Sequence, residues 1–179
     1  SDQAAIAINK VQLWDLAFTD SVTGLHDRRY FKIKLREELQ RAKRYSRPLS
    51  IIMMDLDEFK NVNDTYGHAE GDRVLKQIGI SMEQQIRNVD VMARYGGDEF
   101  VMFVPEKDER GARQLAERLR ERIGRETTSR SAVVTSSFGI ASYPEDGTDP
   151  DDLIDKADRA MYCAKQKGRD RIESYAETI

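Results

Sequence analysis

One cysteine in 179 residues rules out an internal disulfide. Cys163 stands in the run Ala160-Met161-Tyr162-Cys163-Ala164, which reads as helix packing rather than a redox or metal centre and suits a reducing cytoplasm. No apolar stretch approaches the roughly 18 residues of a membrane span, so no membrane contact is expected of this segment. A Gly-x-x-x-x-Gly-Lys phosphate loop, internal repeats and low-complexity tracts are all missing. The net charge of −3 lacks the positive excess on which a general nucleic-acid binder depends, so no nucleic-acid partner is expected. The chain starts with Ser rather than Met, as an excised piece of a longer protein would, with any membrane anchor in the missing N-terminal region. Its length suits one domain with a proper core.

What the sequence does contain is concentrated in Arg94-Tyr95-Gly96-Gly97-Asp98-Glu99-Phe100. Val91-Met92-Ala93 precedes this run and Phe100-Val101-Met102-Phe103-Val104 follows it, which predicts two short strands joined by a Gly-Gly turn that uses glycine's φ freedom. Asp98 and Glu99 at such a turn repel each other, and a hard divalent cation held by oxygen would relieve that. The bland alternative is a solvated hairpin. Residues 49–55 form a continuous apolar run ending in Asp55, the pattern of a fully buried strand. If the hairpin lies beside that strand, Asp55 and Asp98 meet at one edge, where open sheets place their ligands. Asp57 and Glu58 have a simpler reading as helix-initiating acids.

Periodicity places helices over about 3–18, 28–45, 59–65, 70–86, 109–123 and 151–167, the last stopped by Gly168. Strands are expected over 49–55, 91–94, 100–104, 133–141 and 171–175, with 20–27 a loop. The 3–18 helix is apolar on more than one face and reads as a linker or signalling helix (residues 1–19) ahead of a domain at 20–179.

These residues carry a family resemblance. Asp55-Leu56-Asp57-x-Phe59-Lys60-x-x-Asn63-Asp64, then Tyr66-Gly67-His68, Gly71-Asp72 and Gly96-to-Phe100 resemble the GGDEF domain, the diguanylate cyclase family. Asp20-Ser21-Val22-Thr23-Gly24-Leu25-His26-Asp27-Arg28-Arg29 is similar to that family's Asp-x-Leu-Thr-Gly-Leu-x-Asn-Arg-Arg start, departing at Val22 and Asp27. The likeness spans about residues 20 to 175. It implies an α+β palm-like fold, a five-stranded mixed sheet wrapped by about five helices, with the pentapeptide on a β-hairpin.

The resemblance also implies the chemistry. Two GTP condense to cyclic di-GMP, each 3′-hydroxyl attacking the other's α-phosphorus with loss of pyrophosphate, across a homodimer. Two Mg²⁺ ions per half-site, replaceable by Mn²⁺, would be held by Asp55, the Leu56 carbonyl, Asp98 and Glu99. Either Asp98 or Glu99 would accept the hydroxyl proton, and Lys60 would stabilise the reacting phosphate. Asn63 and Asp72 would read guanine, whose N1–H and amine suit a carboxylate, and His68 would touch the substrate. Capping would explain Asn63 and Asp72 equally well. Lys165 and Arg169, in Lys165-Gln166-Lys167-Gly168-Arg169, match the family's phosphate clamp, although basic residues at a helix end also complement its dipole.

Arg87-Asn88-Val89-Asp90 has the Arg-x-x-Asp form, five residues ahead of Gly96. In the family this marks a product-binding inhibitory site, with Arg87 forking to guanine, Asp90 accepting from base amines and Arg118 as a secondary contact. An upstream sensory or receiver domain is implied. A second function class, a catalytically silent module that binds cyclic di-GMP, would have lost acids that are all present here.

Overall fold

The computed structural model describes residues 17–128 and 134–178. In chain order these form β1 (His26–Asp27), α1 (Arg28–Tyr45), β2 (Leu49–Leu56), α2 (Phe59–Tyr66), α3 (His68–Glu83), β3 (Val91–Arg94), β4 (Glu99–Pro105), α4 (Glu109–Thr128), β5 (Ser136–Tyr143), α5 (Pro150–Gln166) and β6 (Ile172–Ser174), followed by a 3-10 turn. The expected 3–18 helix lies outside the described residues, apart from its last two positions, and so does Val133.

The sheet runs β1-β3-β4-β2-β5-β6. β2 is central and antiparallel to both β4 and β5, while the edge pairs β1–β3 and β5–β6 are parallel. The expected five strands are therefore six. His26–Asp27 was expected in a loop, and a two-residue edge strand is too short to show any periodicity. β5 lies two residues later than expected at its end, and α3 spans His68–Glu83 rather than 70–86.

β2 is buried on both faces, which is why it reads as an unbroken apolar run. Its alternate residues feed two cores. Ile52, Met54 and Leu56 pack with Val74, Leu75 and Ile78 of α3 and Leu115 and Leu119 of α4. Leu49, Ile51 and Met53 pack with Phe31, Leu35 and Leu39 of α1 and Leu153, Ala157 and Met161 of α5. Local chemistry sets the helix ends. Asp27 accepts from the Arg29 and Tyr30 amides at the start of α1, so Asp does the N-capping there that Asn would do. Asp149 caps α5 with Pro150 as its first residue. Among the described residues no helix is long and apolar enough to cross a membrane.

Candidate active site

The antiparallel register of β2 and β4 sets Asp55 directly opposite Glu99, at the end of the sheet where the β3–β4 turn closes. Two amides at the turn, those of Tyr95 and Gly96, point to the Glu99 carbonyl at 2.8 and 3.3 Å. The Leu56 amide donates to the Asp98 carbonyl at 3.2 Å, tying the turn to the end of the buried strand. Asp55, Asp98 and Glu99 thus come together as expected. The reason for the glycines differs from the expected one. Neither Gly96 nor Gly97 has a left-handed φ. A Cβ on Gly96 would lie 2.6 Å from Glu99 Oε2, so the tip of that carboxylate would have to move aside. Gly97 lines the cleft beside the turn.

Asp55 is buried, and its carboxyl is pushed up to about 6. Burial is the main cause, the hydrogen bond from Lys165 opposes it, and the charges of Asp98 and Glu99 add to it. Lys165 Nζ lies 2.8 Å from Asp55 Oδ2. Like charges crowded with a buried acid are the electrostatic condition that a divalent cation relieves. Among the described residues no three His, Cys, Asp or Glu side chains close into a complete metal cage. Mg²⁺ is ordinarily held by one or two carboxylates plus substrate phosphates. The oxygen donors of Asp55, Asp98, Glu99 and the Leu56 carbonyl suit it.

A testable consequence concerns stability. The unfolded Asp55 ionises near 3.8 and the folded one near 6, so the native state is progressively destabilised between those values as pH rises. Asp55→Asn should therefore stabilise the metal-free domain. The gain should be smallest at pH 4, grow through pH 6 and level off above it, at about 1–2 kcal/mol once solvent screening is allowed for. Denaturant melts in a chelator at pH 4, 6 and 8 check this, and a pH-independent difference would contradict it.

Beside the turn lies a cleft of about 300 Å³ lined by Phe59, Lys60, Asn63, His68, Asp72, Leu75, Arg94, Gly97 and Asp98. α2 contributes Lys60 and Asn63, and α3 contributes His68 and Asp72. Capping accounts for neither Asn63, which lies inside α2, nor Asp72. α3 starts at His68 with no side-chain cap, and Asp72 lies in its second turn, exposed. Gly71 gives Asn63 its room, because a Cβ there would come within 1.9 Å of Asn63 Oδ1.

Two further residues brace the site. Arg94 donates to the carbonyls of Gly96 and Gly97, at 3.2 and 2.7 Å, and to Asp20 at 3.1 Å. Asp20 in turn accepts from the amide and hydroxyl of Thr23. Arg94 therefore ties the acidic turn to the loop before α1. Its position two residues ahead of the pentapeptide is the available signal. Asp57 is the other. Rather than initiating a helix it is buried and accepts three hydrogen bonds, while Glu58 is the residue before α2 and caps nothing with its side chain.

The Arg-x-x-Asp pair lies at the opposite end of β4. Arg87 donates to Asp90 at 2.7 Å and to the Pro105 carbonyl at 2.8 Å. The Asp90 side chain is 1% exposed and both its oxygens face Arg87, whereas the Arg87 side chain is 47% exposed. Asp90 is thereby the group that orients Arg87, and the direct contact to base amines expected of it is not open in this geometry. Arg118 is exposed on α4, one turn before Arg122, which reaches Ser81 and Gln84 at the end of α3.

A mixed six-stranded sheet carrying an acidic hairpin turn over a cleft edged by amide, carboxylate and lysine groups defines an α+β domain of the nucleotide-cyclase type. The sequence model of the diguanylate cyclase GGDEF domain matches residues 17–171. The chain belongs to this family. Diguanylate cyclase A of Treponema denticola is 39% identical, covering 94% of this chain and 47% of the relative. The response regulator PleD of Caulobacter vibrioides is 36% identical, covering 88% and 36%. The chain thus spans about half or less of these curated relatives. Among solved structures, the coiled coil and GGDEF domain of DgcB from Caulobacter crescentus in complex with c-di-GMP superposes with a TM-score of 0.85 at 27% identity, covering 97% of this chain and 93% of that one. Diguanylate cyclase SiaD of Pseudomonas aeruginosa, in complex with its activator SiaC, gives 0.87 at 33%, covering 96% and 67%.

Proposed function

We propose that this chain condenses two GTP to cyclic di-GMP. The observation that carries the reading is Asp55 in register with Glu99, with Asp98 in the turn between the hairpin strands and the Asn63/Asp72 cleft alongside. Bound Mg²⁺ would supply charge neutralisation on the triphosphate, held by Asp55, the Leu56 carbonyl, Asp98 and Glu99. Lys60 faces the reacting phosphate, and Asp98 or Glu99 accepts the 3′-hydroxyl proton. Asn63 and Asp72 hydrogen-bond guanine, with His68 at the same wall. Adenine lacks the paired N1–H and amine donors, so ATP leaves Asp72 without them. Lys165 and Arg169 take the outer phosphates, the arginine as a fork and the lysine as a mobile charge that exchanges Asp55 for phosphate. Incubation with GTP or ATP and Mg²⁺, followed by chromatography, tests the reading. A cyclic dinucleotide from GTP alone is the expected product.

One domain supplies one set of these groups and the reaction joins two nucleotides, so two copies must face each other about a two-fold axis. Rate per protomer should fall on dilution as the pair dissociates. A rate that stays constant far below the dimerisation constant would contradict the arrangement.

Product inhibition is assigned to Arg87, with Asp90 orienting it and Arg118 as a secondary contact. The length of β4, roughly 20 Å at strand rise, separates this pair from the acidic turn, so a ligand there acts without competing for the cleft. Arg87→Ala should weaken cyclic di-GMP binding by about one to two orders of magnitude while turnover persists. Calorimetric titration beside initial rates checks this. Unchanged affinity would reduce the pair to a surface ion pair.

A further inference from the structure

Three successive residues after α5 have left-handed φ: Gly168 at 114°, Arg169 at 61° and Asp170 at 45°. Glycine adopts such values freely and Asp tolerates them, but for Arg they are uncommon and need support from surrounding groups. Groups distant in sequence hold this turn. The Asp170 amide donates to Asp57 Oδ2 at 3.1 Å, across 113 positions of sequence. Asp57 is buried, and its carboxylate also accepts from Thr135 Oγ1 at 2.7 Å and from Ser137 Oγ at 2.6 Å. Its own amide donates to the Thr135 carbonyl at 2.9 Å. From the other side Arg120 of α4 donates to the Asp170 carbonyl at 3.3 Å and to its carboxylate at 2.8 Å.

We infer that Asp57 is a positioning residue for the phosphate-binding segment, fixing the 168–171 turn, and through it Arg169, beside the acidic edge of the sheet. The inference rests on the reading of Lys165 and Arg169 as the triphosphate clamp. Asp57 follows Asp55 by two residues, so one short stretch of chain supplies both the edge carboxylate and the anchor of the clamp. A buried carboxylate that accepts from three different residues holds its rotamer, and a fixed rotamer transmits a fixed position to the Asp170 amide. Arg169 itself is exposed; its amide donates back to the Ala164 carbonyl of α5 at 3.0 Å, and the residue after it is held by Asp57, so the segment is fixed from both sides. Removing the anchor should cost contacts to the outer phosphates and leave guanine recognition, on α2 and α3, untouched.

The experiment measures binding of GMP and of a non-cleavable α,β-methylene analogue of GTP, with Mg²⁺, to the 179-residue chain and its Asp57→Asn, Arg120→Ala and Arg169→Ala variants. Asn keeps the shape of Asp57 but loses one acceptor oxygen. Arg120→Ala loosens the same turn from the partly exposed helix side, without touching the buried network. The expected result is a preference for triphosphate over monophosphate reduced about tenfold in Arg169→Ala and about three- to tenfold in the other two, with GMP affinity constant within about twofold. If Arg169→Ala loses the preference while Asp57→Asn and Arg120→Ala keep it, the positioning role is wrong and the clamp stands. If Arg169→Ala keeps the preference, the clamp reading fails instead. Equal losses for GMP and the triphosphate analogue in Asp57→Asn would make the residue merely structural and overturn the inference. Should Asp57→Asn fail to fold, the Arg120→Ala comparison decides between the same outcomes.

Discussion

Asp98→Ala should leave a folded domain whose GTP turnover falls by at least about a thousandfold, the order expected when a metal-clamp carboxylate is removed from a phosphoryl-transfer site. The geometry separates the two effects. Asp98 fastens the turn to β2 through its backbone carbonyl, which accepts from Leu56, and that bond survives truncation of the side chain. The side chain lines the cleft and is partly exposed, so no core contact is lost. Removing its charge also relieves a repulsion that pushes the Asp55 carboxyl upward, so thermal stability without metal should be unchanged or slightly higher. Product chromatography and a melting curve on the same preparation check both halves. Turnover within tenfold of the parent, or equal turnover of ATP, would refute the assignment.

The largest expected loss of stability lies away from the chemistry, at Gly139 in β5. A Cβ there would fall 2.0 Å from the Ala157 carbonyl oxygen and 2.2 Å from the Met161 amide nitrogen, both backbone atoms of α5. Backbone cannot swing aside as a side-chain tip can, so the helix would have to lift from the sheet. α5 carries buried Leu153, Ala157 and Met161 into one core and presents Lys165 to Asp55 at its end. Gly139→Ala should therefore cost more than about 3 kcal/mol, beyond the usual range for overpacking, and yield little folded protein. Denaturant unfolding or soluble yield measures it. Gly124→Ala makes the control, since nothing lies within 4 Å of a Cβ at that helical position. Near-parental stability in Gly139→Ala would show that α5 shifts easily, which would also weaken the case for a rigidly placed Lys165.

The sequence by itself determined the elements whose signals are local. β2 is legible as an apolar run because both its faces are buried, and α1 because an apolar stripe repeats at helical spacing, to which the structure adds the Asp27 cap. The family pattern is local too, each motif occupying a few consecutive residues, and this made the acids, Asn63, Asp72 and Arg87 nameable before any coordinates. Tertiary structure alone decided how those residues meet. Register across β2 and β4 sets Asp55 against Glu99, and a slip of one residue would have turned one of them to the other face. At Gly96 it is room for the Glu99 carboxylate folded back over the turn, not a positive φ, that the fold uses. His26–Asp27 becomes a strand only because β3 offers an edge to pair with. Asp20 with Arg94, 74 residues apart, and Asp57 with Asp170, 113 apart, are hydrogen-bond pairs that no window of sequence contains. A local pattern reports the preference of a segment for helix or strand. Partners across such separations are chosen by how the whole sheet and its helices bury their apolar faces, and only the folded chain expresses that choice.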